Sequence, residues 1–364
     1  MLNQAELYAI VEKYASFGNH HTGTEADRAT TRWLIGLLEG MGATVEEDPY
    51  SFERFVCQAE LTAGGETVPC LPLFYSDVGK IDTTVFSTYC ADYGHVGNAR
   101  SLDPTLPSSD GQTPLIIAID GPADLPVQCN RVPTQLLGRP AVIIPDNWLD
   151  RVQAGAHLRF DAHLEPGQSS NVVALLGDPA AAQVMITTPL TGWTPAAGER
   201  GTGLAAALAI AAALADDYRV VFSACSGHEI DHLGLRHYLS TRDLAGQRAI
   251  HLGASIAATE PVPGGEPRLG DRRMCLTTAV GDTRAAIAAR VPDANWSMPD
   301  LAPPWPGEGG TWLEAGAQVL SFLGGASLFH TTDDIAAKAT TPAAVELAAT
   351  VAIDATRMFL DGSS

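Results

Sequence analysis

The spacing of apolar and polar positions divides the chain into three stretches. Helical spacing over Asn3–Ala15 and Glu25–Met41 is followed by strand-like alternation over Ala43–Phe52. Between residues 53 and 167 the helical spacing disappears, and short β-branched runs are separated by Gly, Pro and Asp. We therefore predict a β-rich domain over residues 53–167, inserted into an α/β domain that residues 1–52 and 168–364 form.

From Asn171 onward, short β-type runs alternate with helical patterns. This order is typical of an α/β fold, here a mixed, mostly parallel sheet sandwiched by helices. The predicted strands are Asn171–Leu176, Val184–Thr188, Arg219–Ala224, Ala249–Ala257 and Gln318–Leu323. The predicted helices are Gly201–Leu214, Glu229–Leu239, Thr283–Ala289 and Pro342–Phe359. Within the insertion, Ser101–Thr113 is predicted to be a surface loop.

The composition excludes several classes of partner. The chain of 364 residues has 22 Lys and Arg against 42 Asp and Glu, a net charge of −20. Nucleic acids and anionic membranes are therefore not expected partners. The N-terminus lacks the basic and apolar regions of a signal peptide, and no apolar run is long enough to cross a bilayer. We expect a cytoplasmic protein with reduced cysteines that acts on a small molecule or a short peptide.

One stretch, Ala224–His237, carries most of the candidate chemistry. It begins at the end of a predicted strand and continues into a predicted helix, so His228 and Glu229 lie where α/β sheets bind ligands. Residues 228–232 also match H-E-x-x-H, which on a helix would bind zinc. That motif is normally buried within a helix, however, and this one follows a strand directly. The alternative for His232 and His237 is simple exposure to solvent.

Three further segments carry a resemblance to a known family. They are Phe17–Thr24 (FGNHHTGT), Ser170–Ala174 (SNVVA) and Phe329–Asp334 (FHTTDD). Together they resemble the zinc aminopeptidase family that includes aminopeptidase Y, glutamate carboxypeptidase and glutaminyl cyclase. The β-rich insertion is similar to the protease-associated domain of that family. The resemblance implies a zinc-exopeptidase-like fold.

The resemblance also implies a reduced metal site. In the family, two zinc ions share an Asp, and a Glu beside the ligands acts as general base. Here Glu199 is at the position of the shared Asp, while Glu229 and His330 are at the positions of one metal's other ligands. Pro189–Thr191 and Gly253 replace the ligands of the second metal. The resemblance therefore implies at most one divalent ion at Glu199, Glu229 and His330, with zinc expected and manganese or iron as alternatives.

The general-base position of the family is occupied by His228, whose imidazole can transfer protons near neutral pH. The first functional hypothesis is a one-metal, aminopeptidase-like hydrolase that cleaves a peptide, amide or related C–N bond. The second is a metal-free lyase, isomerase or cyclising enzyme that uses His228 with Glu199 or Glu229. The third is a non-catalytic ligand-binding protein. Structural interpretations also remain open: both glutamates suit a helix N-terminus, and His330 suits a hydrogen-bonded core position.

Overall fold

The computed structural model describes residues 2–107, 113–121 and 124–362. The helices in this part of the chain are α1 (Gln4–Ala15), α2 (Glu25–Gly40), α3 (Leu149–Gln153), α4 (Thr202–Leu214), α5 (Leu233–Ser240), α6 (Gly281–Arg290), α7 (Glu308–Glu314), α8 (Ala336–Ala339) and α9 (Pro342–Asp361). The strands are β1 (Thr44–Ala63), β2 (Glu66–Val68), β3 (Leu71–Pro72), β4 (Gly79–Val85), β5 (Thr88–Ala91), β6 (Leu115–Ile119), β7 (Ala141–Pro145), β8 (Ala156–Leu176), β9 (Gln183–Pro189), β10 (Arg219–Cys225), β11 (Arg248–Leu252), β12 (Thr259–Glu260), β13 (Arg268–Leu269), β14 (Arg273–Thr277) and β15 (Gln318–Gly324).

A mixed sheet runs through the described part of the molecule in the order β14-β15-β11-β9-β10-β8-β1-β2, and β4 also pairs with β8. Its centre is parallel, because β10 pairs with β9, β9 with β11 and β11 with β15 in the same direction. The predicted fold class is therefore confirmed. Because the carboxyl ends of these four strands meet at one edge, the loops that follow them are brought together.

Alternate residues of the central strands face two different apolar layers. Ile186 and Phe222 face one layer, which α1, α4 and α9 cover, whereas Met185 and Val221 face the layer covered by α5 and α7. Helix α4 is buried over almost its whole length, and its alanines allow α1 and α9 to pack closely against it. No helix described in the structure is long and apolar enough to span a bilayer.

The predicted insertion is joined to the main sheet by two long strands. Strands β1 and β8 pair along their full length, and the predicted boundary falls in the middle of this ladder, where Phe52 pairs with Gly167. The far half of the ladder is joined by β4, and beside it lies a second sheet in the order β3-β7-β6-β5. The change of sequence pattern thus lies within continuous strands, and the division into two domains stays a prediction. Of the predicted loop Ser101–Thr113, residues 108–112 lie outside the described residues.

The helix predicted over Glu229–Leu239 is divided in two. A 3₁₀ turn spans His228–Ile230, and α5 begins only at Leu233. Between them Asp231 and His232 have φ values of 62° and 58°, in the left-handed region. Asp and His are among the non-glycine residues that adopt this conformation most readily. The break places the first histidine of the motif in a turn and not on the face of a helix.

Candidate active site

The loops at the carboxyl edge of the parallel strands bury an unusual set of ionisable side chains. His228 follows β10, and His330 lies in the loop after β15. Glu199 and Arg200 come from a π-helical turn, Ala197–Gly201, which leads into α4. Each of these four side chains is at most 7% exposed, so its polar atoms have to find partners within the protein.

The side chain of Arg200 connects two parts of the site. Its Nη2 lies 2.7 Å from Oε1 of Glu199, and both side chains are fully buried. Its Nε donates a hydrogen bond of 3.1 Å to the backbone carbonyl of Thr191. Thr191 follows β9, in the segment where the resemblance places ligands of the second metal. The guanidinium therefore lies between the strand ends that would otherwise surround a metal ion.

Glu199 contacts a second nitrogen. Nε2 of His330 lies 3.3 Å from the same oxygen, and Nδ1 of this histidine lies 2.8 Å from the carbonyl of Gln128, to which it donates. Burial opposes ionisation of Glu199, but Arg200 and His330 outweigh that effect and lower its pKa to about 2. Asp334 accepts hydrogen bonds from the backbone N–H groups of Gly198 and Glu199 and fixes the turn.

Glu229 is held in a separate group of hydrogen bonds. Its Oε1 accepts from the backbone N–H of Thr22, at 2.7 Å, and from the Thr22 hydroxyl. Its Oε2 accepts from the hydroxyl of Thr191 at 2.9 Å. The backbone N–H of Gly227 donates to that same hydroxyl and fixes its orientation. Both carboxylate oxygens are thus engaged by the protein itself.

His228 forms a pair with a glutamate that the sequence analysis did not single out. Its Nδ1 lies 3.0 Å from Oε1 of Glu308, the first residue of α7. Burial raises the pKa of Glu308 to about 8 and lowers the pKa of His228. The ring of His228 stacks on that of His232, with centroids 4.7 Å apart, and Nδ1 of His232 lies 3.0 Å from the Thr311 hydroxyl. His232 is thus half-buried in the wall of a cleft and has side-chain partners, which differs from the simple exposure considered as an alternative for it.

The pair of His228 and Glu308 lies beside a cleft of about 720 Å³, which His228 lines. The segment Pro299–Gly310 contributes Trp305 to the wall, which also includes His228 and His232. The wall also contains two acidic residues, Asp231 and Glu314. A larger group of cleft residues is cationic or can donate hydrogen bonds: Tyr93, Asn98, Arg100, Asn130, Arg236 and Arg272. A cleft of this size with a few convergent polar groups is typical of a small-molecule site.

The residues implied as metal ligands are only partly brought together. Glu199 and His330 are in contact, and among the residues that the structure describes neither Glu199 oxygen nor His330 Nε2 has a hydrogen bond of good geometry. Glu229, in contrast, accepts hydrogen bonds from Thr22 and Thr191 on both of its oxygens. No group of three or more His, Cys, Asp or Glu side chains within residues 2–107, 113–121 and 124–362 is placed to hold a metal ion. Since zinc sites normally use at least three protein ligands, the arrangement described does not fit a metal ion.

Two site residues could have been suspected from the sequence. Arg200 is the one charged residue between Glu199 and the apolar start of α4, and a charge entering a buried helix needs a partner. Glu308 precedes the pair Gly309–Gly310, and glycines here permit close packing, because a Cβ on Gly309 would lie 2.4 Å from Oγ of Ser321. Neither pattern identifies the partner side chain.

Gly198 offers a test of how tightly the turn at Glu199 is packed. A Cβ at this position would lie 2.9 Å from both Oδ1 of Asp334 and Cβ of Ala339. We expect Gly198→Ala to lower the free energy of unfolding by about 1–3 kcal/mol in urea denaturation, because the buried turn has no room to relax. Gly36→Ala is the matched control. Gly36 lies on the exposed face of α2 with open space around it, and the change should stabilise the chain slightly.

Several solved structures of other proteins share this architecture. A zinc aminopeptidase from Bacillus subtilis superposes with a TM-score of 0.72 at 14% identity, covering 98% of this chain and 95% of that chain. A peptidase M28 precursor from Shewanella amazonensis gives 0.71 at 16% identity, covering 98% and 93%. The chain has the zinc-aminopeptidase fold. A glutaminyl cyclase from Porphyromonas gingivalis shares this fold less closely, with a TM-score of 0.52, 11% identity and 98% coverage of both chains.

The resemblance inferred from the sequence is thus confirmed at the level of the fold. No family model and no curated protein matches the sequence. Identities this low establish the zinc-aminopeptidase fold alone and do not transfer a metal or an activity. The roles of His228, Glu199, Glu229 and His330 therefore stay predictions.

Proposed function

We propose that this protein is a metal-independent enzyme that transfers protons to and from a small substrate, with His228 as the transferring group. The observation that carries this proposal is the pair of His228 and Glu308 beside the cleft. A carboxyl group that holds Nδ1 fixes the orientation of the ring and leaves Nε2 to face the substrate. The hydrogen bonds described for His228 involve Nδ1 alone, so Nε2 is free for this role.

The cleft favours a small, anionic or zwitterionic substrate. Arg100, Arg236 and Arg272 line it, in a chain whose overall charge is −20. Asp231 pairs with Arg100 and Arg236, whereas Arg272 has an aromatic contact with Tyr93 and forms no ion pair within the described part of the chain. The three arginines outnumber the two acidic residues of the wall, Asp231 and Glu314, and the remaining local positive charge attracts carboxylate groups. Amino-acid derivatives and short peptides combine that charge with a size that the cleft can hold, and a cytoplasmic location stays the expectation for such a protein.

The one-metal hydrolase remains the second candidate. The buried carboxylate of Glu199 next to Nε2 of His330 favours it, because these atoms lack good hydrogen bonds. To complete the site, however, Arg200 would have to leave Glu199, and Glu229 would have to break its hydrogen bonds to Thr22 and Thr191. The metal-free enzyme needs no such rearrangement and is therefore better supported.

Removal of metal ions separates these candidates. We expect the chain dialysed against a chelator to keep its melting temperature and its turnover of a substrate panel. The panel contains aminoacyl anilides, short peptides and peptides with N-terminal glutamine. Loss of turnover that zinc restores would instead support the one-metal hydrolase. Ligand-induced thermal shifts without turnover of any compound would support a non-catalytic binding protein.

A further inference from the structure

A buried guanidinium lies where the resemblance places a metal ion. Nη2 of Arg200 and Nε2 of His330 approach the same oxygen of Glu199, at 2.7 and 3.3 Å. A metal bound to that oxygen would lie in direct contact with a positive charge. Arginine keeps this charge at any pH that the folded protein experiences, because its guanidinium is not deprotonated.

The charge of Arg200 acts on several buried acids at once. Burial raises the pKa of both Glu308 and Asp334, and the positive charge of Arg200 opposes these shifts. In Glu199 the charge of Arg200 acts together with His330, and the two outweigh the effect of burial. A divalent cation would act on a group of buried carboxylates in the same way.

The backbone anchors the guanidinium as well. Nε of Arg200 donates to the carbonyl of Thr191, and the hydroxyl of Thr191 binds Glu229. Arg200 thereby links the turn before α4 to the end of β9 and, through Thr191, to the end of β10. These are the strand ends that a bound ion would otherwise connect.

We infer that Arg200 is the fixed cation of this site and takes the place of a divalent metal ion. The inference rests on the metal-free part of the proposed function and is independent of the role of His228. It assigns Arg200 to positioning, because Arg200 is not among the described residues that line the cleft. Its function is to place a positive charge against the buried carboxylate of Glu199 and to hold the strand ends together without a metal.

The inference is tested by metal binding to the full chain, with Co²⁺ as a spectroscopic probe and Zn²⁺ in calorimetry. We expect the wild-type chain to bind neither ion stoichiometrically and to melt at the same temperature with or without zinc. In Arg200→Ser, the uncompensated carboxylate of Glu199 is exposed to an added ion. This variant is expected to bind Co²⁺ at least tenfold more tightly than the wild type, and its lowered melting temperature should rise when zinc is added.

The matched control is Arg32→Ser, which removes an arginine that is 63% exposed and pairs with Glu25 on the surface of α2. Like the wild type, this variant should bind neither ion stoichiometrically, and zinc should not change its melting temperature. Stoichiometric Co²⁺ binding by the wild type that disappears in Glu199→Gln would overturn the inference. So would an Arg200→Ser chain that folds with unchanged stability and gains no affinity for the ion.

If Arg200→Ser does not fold, the wild type and Arg200→Lys decide the question. Lysine retains a positive charge, so Arg200→Lys is expected to stay free of Co²⁺, and ion uptake by it would contradict the inference. His228→Ala distinguishes this inference from the proposed function. A His228→Ala chain with full turnover would refute the catalytic role of His228 and leave the metal-binding results for Arg200 unaffected.

Discussion

Arg200→Met is expected to lower the free energy of unfolding by about 3–5 kcal/mol. The side chains of Arg200 and Glu199 are both fully buried, and their charged atoms lie 2.7 Å apart. Methionine fills a similar length of space but leaves the carboxylate of Glu199 without its main counter-charge. The cost of a buried, unpaired charge therefore dominates over any change in packing. Urea denaturation monitored by circular dichroism measures the effect.

A double-mutant cycle shows whether the charge is the cause. In Glu199→Gln/Arg200→Met both members of the ion pair are neutral, and the expected loss of stability is smaller than in Arg200→Met alone. A double variant that is as unstable as the sum of the two single variants would show that packing, and not charge, is responsible. In that case the guanidinium would not be the fixed cation of the site.

The main sheet and its helices could be predicted because their pattern is local. Strands β9, β10 and β15 each follow the predicted strand to within one residue at either end, since buried apolar runs bounded by polar residues specify them. Strand β14 was not predicted, although it lies at the edge of the same sheet.

Long strands with polar residues were harder to predict. Strand β1 continues through Glu53 and Arg54, where the sequence pattern indicates a boundary. Arg54 pairs across the ladder with Glu165 of β8, so the polar residues are satisfied within the sheet. Such cross-strand pairs join residues 111 positions apart, and the sequence around Arg54 contains no sign of them.

In the candidate site too, contacts between residues far apart in the sequence could not be predicted. The position of His228 at a strand end and the contact between Glu199 and His330 could be expected from the order of the elements and the resemblance. The hydrogen-bond partners of His228 and Glu229, which determine the chemistry of these side chains, could not be expected from the sequence. Glu308 is 80 residues from His228, and Thr22 is 207 residues from Glu229. These contacts depend on where α7 and the loop after α1 pack against the sheet.

His228→Gln is expected to lower kcat by about 10²–10⁴-fold on any substrate that the chain turns over, which is the usual contribution of an acid–base group. Glutamine can keep a hydrogen bond to Glu308, so the buried carboxyl group retains a partner and the fold should be preserved. Because the lost interaction belongs to the proton-transfer step, kcat should fall much more than KM changes. Steady-state kinetics, with circular dichroism to verify folding, measure the effect.

His237→Gln is the matched control for this change. His237 lies on α5, is about one-third exposed, lies 3.5 Å from Asp48 and is not among the described residues that line the cleft. Its replacement should leave kcat within about twofold, since surface changes of this kind have little energetic effect.

Glu308→Gln should lower kcat, as His228→Gln does, because an amide no longer favours the orientation and tautomer of His228 that proton transfer requires. A folded His228→Gln chain with the kcat of the wild type would remove His228 from the mechanism and favour a chemistry centred on Glu199 and His330.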